Sequence, residues 1–67
     1  MTYFLLQNTK GERIGEKVYM EHSGARRVAV RLAGKWAKSN DLRGSAIKII
    51  QEDGSIYGSK VVEWINT

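Results

Sequence analysis

The 67-residue chain has no cysteine, no proline and a single histidine. Without thiols there is neither a disulfide framework nor a thiolate metal site, and one histidine beside turn carboxylates such as Glu52 and Asp53 makes no metal-ligand set. No metal and no cofactor is expected. The absence of cysteine agrees with a reducing compartment. No run approaches 18 apolar residues, and the opening segment Met1-Thr2-Tyr3-Phe4-Leu5-Leu6 lacks the basic flank of a secretory leader, so the expected setting is the cytoplasm with no membrane partner. The chain is also too short to hold an active-site domain beside a core, and no nucleophile, base and orienting acid come together in it.

Hydrophobic residues make up 42% and charged residues 27%, a balance that folds as one domain over residues 1–67 rather than staying disordered. A chain of this size buries only about 60% of its unfolded surface, which leaves stability of a few kcal/mol and makes a second copy or another partner a natural addition.

Residues 3–7 form a short apolar run, Asn8 to Glu12 hold turn residues, and residues 13–21 return, which reads as a hairpin. In the returning arm Ile14, Glu16, Val18 and Met20 share one parity and are expected to face a core with Phe4 and Leu6. Ser23 suits an N-cap, because its hydroxyl accepts from a free amide of the first turn. A helix is expected over about residues 24–39, where Ala25, Val28, Ala29, Leu32, Ala33 and Trp36 fall at i, i+3, i+4, i+7, i+8 and i+11. β-branched residues dominate 45–51 and 56–65, and Asp53-Gly54 between them signals a two-residue turn that would pair Ile50 with Tyr57. Gly58 is a candidate bulge where the parity resets ahead of Val62 and Trp64.

The expected fold is therefore α+β in the order ββαββ: a four-stranded, mainly antiparallel sheet with one helix on one face. The other face would carry apolar groups drawn from Tyr3, Leu5, Tyr19, Ile50 and Tyr57.

On Tyr3-Phe4, Gly11-Glu12, the alanine-rich helix of 25–36, and Ile47-Lys48-Ile49 leading into Glu52-Asp53-Gly54, the chain resembles a family of short uncharacterised bacterial proteins with this ββαββ order. It departs from them at Gly15-Glu16-Lys17 and in a helix without acids. The resemblance implies architecture and assigns no site residue. Small phage proteins that inhibit host enzymes are similar in size and layout.

Charge is the most informative pattern. Net charge is +4, yet the helical segment alone holds Arg26, Arg27, Arg31, Lys35 and Lys38 and no acid, leaving the rest close to neutral. Arg27, Arg31, Lys35 and Lys38 cluster opposite the apolar stripe, with Arg26 peripheral. Such a ridge can neutralise nucleic-acid phosphates and release their counterions, or it can be a solvated face that also complements the helix dipole at its C-terminal end. The reading it favours is a non-enzymatic module that docks on nucleic acid with little base specificity. The alternative is an inhibitor or adaptor that binds a host protein, or a second copy, through Tyr3, Leu5, Tyr19 and Tyr57 on the open sheet face. Trp36 and Trp64 are expected in the core. His22-Ser23 reads as a helix cap with an exposed neighbour rather than part of a catalytic triad. The run from Gly54 to Lys60 has the wrong spacing for a phosphate loop and leads into a strand.

Overall fold

A computed structural model describes residues 2–55 and 58–67. Strand β1 (Tyr3–Gln7) is followed by helix α1 (His22–Ala37), then β2 (Ala46–Glu52) and β3 (Lys60–Asn66). The sheet is three-stranded and antiparallel in the order β1-β2-β3, so the long, β-branched β2 lies in the middle. This corrects the expected four-stranded ββαββ arrangement to β-α-β-β.

The returning arm is present beside β1 but is not a strand. It touches β1 at two isolated bridges, Phe4 with Tyr19 and Gln7 with Arg13. Between them three steps along β1 face six along the arm, so three residues are surplus and loop out. Gly15 lies at the start of this excursion at φ 72°, and the Arg13 guanidinium donates to the Glu16 carbonyl at 2.8 Å across it. An odd surplus inverts the alternation of side chains. Ile14 and Tyr19 therefore both pack on the core, while Val18 and Met20 are exposed, reversing the expected parity for Val18 and Met20.

The preceding turn is as expected. Asn8 Oδ1 accepts from the amides of Lys10 and Glu12, both at 2.9 Å, and Gly11 adopts φ 85°.

Helix α1 begins two residues earlier than its alanine pattern suggests. Glu21, not Ser23, occupies the N-cap position, in extended conformation and without a side-chain capping bond. Ala25, Ala29 and Ala33 meet the sheet and are buried. Their small side chains let the helix backbone approach Leu6, Ile47, Ile49 and Ile65, with which they form the core. Ile47 and Ile49 are fully buried on the central strand, each removing enough apolar surface from water to contribute about 1.5–3 kcal/mol.

The β2–β3 connection is longer than a two-residue turn. Gln51 pairs with Lys60 and Ile50 with Val61, so the expected Ile50–Tyr57 pair is replaced; Tyr57 itself lies outside the described residues. The register shifts between Ile49 and Ile50, because Ile49 pairs with Glu63 and Val62 is the extra residue. The bulge is thus at Val62 and not at Gly58. A side chain on Gly58 would instead fall on the Asp53 carboxylate. That carboxylate accepts from the Ser55 amide at 2.9 Å, which holds its pKa below the ordinary value.

Candidate nucleic-acid interface

At about 100° per residue, Arg27, Arg31, Lys35 and Lys38 fall within an arc of roughly 80°, nearly opposite the buried alanines. All four side chains are exposed. From Arg27 to Lys38 the row extends about 16 Å along the helix. Among the described residues no ion pair reaches any of the four, so their charge is directed to solvent.

Arg26 stands apart from this ridge. The alternation of β3 turns Glu63 to the helix side, where its carboxylate takes Arg26 Nε at 2.9 Å and His22 Nε2 at 2.8 Å. The Arg26 guanidinium, aided by His22, holds the Glu63 carboxyl below its ordinary value of 4.5 against the opposing effect of desolvation. The His22 ring also stacks on Phe4, with centroids 5.6 Å apart. His22, exposed as expected, thus also ties the first turn of the helix to two strands.

Beside the basic row Arg27–Arg31–Lys35 runs a parallel row one residue on, Val28–Leu32–Trp36. A shallow groove of about 190 Å³ lies between them, lined by Val28, Arg31, Leu32 and Lys35. Beyond the end of the helix a larger cavity of about 380 Å³ opens between the 8–10 turn and the 41–45 loop, with Trp36 and Ile14 in its lining. Trp36 is half-buried and packs on the core, as expected from the helical stripe.

The residues expected on the open sheet face divide. Cross-strand pairs Tyr3–Glu52, Leu5–Ile50 and Ile50–Val61 place Tyr3, Leu5 and Ile50 on the face away from the helix. Tyr3 donates its hydroxyl to Glu52 at 2.7 Å, and this bond raises the tyrosine pKa above 10.0. Tyr19 is absent from this face: it bridges to Phe4, packs against the helix side, and carries Lys17 Nζ 5.4 Å from its ring centre. Tyr57 lies outside the described residues.

Trp64, expected in the core, stands on this face instead and is 52% exposed, with Lys48 Nζ 5.7 Å from its ring centre. Ile65, not Trp64, is the inward residue of β3, and Glu63 finds basic partners on the helix. Among the described residues no cluster of acids, histidine or cysteine could hold a metal, and no helix is long and apolar enough to cross a membrane.

Comparison with models of known families, with characterised proteins and with solved structures returned no match to this chain.

Proposed function

We propose that the chain is a small non-enzymatic module that binds nucleic acid through Arg27, Arg31, Lys35 and Lys38, four residues that contact the phosphate backbone and not the base edges. One observation carries this reading. Of the four basic residues on the helix and Lys38 at its C-cap, Arg26 is held by Glu63, whereas the other four share one exposed face with no acid on the helix and no ion-pair partner among the described residues. A helix arranged only for its own stability places acids in its first turn, and this one has none there. Four convergent cations spaced along one face match an anionic polymer better than a single anion.

Fluorescence anisotropy with labelled single- and double-stranded DNA and RNA, repeated between about 50 and 200 mM salt, tests the reading. Four phosphate contacts give a log–log slope of about −3.6 on duplex DNA and about −2.8 on a single strand. The double variant Arg27→Glu, Arg31→Glu should lose binding. Failure to bind at low salt, or equal binding by that variant, would refute it.

A second reading rests on the open sheet face, where Trp64 and Val61 on β3 are 52% and 43% exposed, across the central strand from Tyr3 and the buried Leu5. Exposed aromatics of this kind anchor protein interfaces, and the basic ridge would then steer the chain toward an acidic partner. Under this reading Trp64→Ala weakens association and the ridge variant alters only its rate and salt dependence.

A further inference from the structure

We infer that the ligand of the basic ridge is a single strand, and that the cavity beyond the helix C-terminus receives one of its unpaired bases. The inference rests on the nucleic-acid reading above and adds the strand form and a base site to it. Two rows run side by side at i, i+4 spacing: Arg27, Arg31 and Lys35 are cationic, while Val28, Leu32 and Trp36 are apolar and only half-buried. A duplex presents phosphates to such a surface but keeps its bases stacked inside, so the apolar row would have no counterpart. A single strand has both components along its length: phosphates for the first row and base faces for the second.

The apolar row ends at Trp36, in the lining of the cavity. Its volume of about 380 Å³ falls in the range of small-ligand sites, roughly 300–1,000 Å³. The lining combines chemistry suited to a base. Trp36 and Ile14 supply apolar surface, and Asp41 supplies an anionic acceptor suited to an exocyclic amino group but repulsive to phosphate. Lys10 and the Thr9 and Ser45 hydroxyls add donors. Asn8, also in the wall, is committed to its own turn, since its Oδ1 already accepts from the amides of Lys10 and Glu12. The site therefore favours a base carrying an amino group, with its phosphates left on the ridge.

The test uses the full chain carrying Trp64→Phe, so that Trp36 is the only indole. Three labelled probes are compared at low salt: a single-stranded cytosine-rich DNA, a strand of the same length made wholly abasic, and a duplex. The base-bearing strand should bind roughly tenfold or more tightly than the abasic strand and quench Trp36 emission, while the abasic strand and the duplex leave that emission unchanged. Adding Thr9→Phe, which fills the cavity from the exposed turn, should bring the base-bearing strand down to the abasic affinity. Equal affinities for the base-bearing and abasic strands, with no quenching, overturn the base site and leave the ridge reading standing. Absence of binding to all three probes overturns both.

Discussion

Arg26 Nε lies 2.9 Å from Glu63 Oε2, which ties the second turn of the helix to β3. The same carboxylate also holds His22, so one acid gathers two of the helix's three N-terminal cationic or titratable side chains and leaves Arg27 to solvent. This pairing separates a structural arginine from the four basic residues that have no ion pair among the described residues.

Glu63 makes stability depend on acid pH. Its pKa is lowered in the folded state, so the stabilisation is fully present above the ordinary value of 4.5 and disappears as pH falls through the lower, folded value. Thermal melting between pH 3 and 7 should show a decline at the acid end that is reduced in Glu63→Gln. Identical pH profiles for the two proteins would show that the pair contributes nothing.

The core predicts opposite faults at its two layers. Ile47 is fully buried on the central strand, and Ile47→Ala should cost about 2–5 kcal/mol through lost burial and the cavity left behind. Ala29 is fully buried where the helix meets the sheet, and Ala29→Leu should cost about 1–3 kcal/mol by forcing the layers apart. Denaturant midpoints measure both. Little change in either would mean that the helix does not rest on this alanine seam.

The three surplus residues of the arm give a sharper test of the fold. Deleting Gly15, Glu16 and Lys17 would bring Arg13–Gln7, Ile14–Leu6, Val18–Leu5 and Tyr19–Phe4 into one continuous antiparallel register. Amide exchange in the shortened chain should then show protection along the arm, as in a fourth strand. Continued rapid exchange there would mean that something other than the insertion keeps the arm irregular.

Two glycines are constrained differently. Gly15→Ala should cost about 1–2 kcal/mol from its positive φ alone, since nothing lies within 4 Å of the added carbon. Gly58→Ala should disturb the β2–β3 connection because its methyl falls on Asp53. NMR shifts in the second variant should centre on residues 53–55 and leave the helix unchanged; changes spread over the core would contradict this assignment.

Alternation and helical period made much of the fold legible. The alanine stripe, the turn at Asn8, the β-branched character of β2 and the outward basic row each depend on neighbours within a few residues, and all stand in the structure. The parity of the arm and of β3 was not legible in this way. One surplus residue at Val62, or three beginning at Gly15, reverses every side chain that follows, and no local pattern records the count. That is why Tyr19 moved to the core and Trp64 to the surface.

The candidate site divides along the same line. Residue order alone determined that four cations share one helix face, because a single helix carries them. Which arginine would be neutralised, and whether a cavity would open beside Trp36, depended on where β3 and the 8–10 and 41–45 segments came to rest. Only the tertiary structure decided these, because ion pairs and cavities are made between segments far apart in the chain.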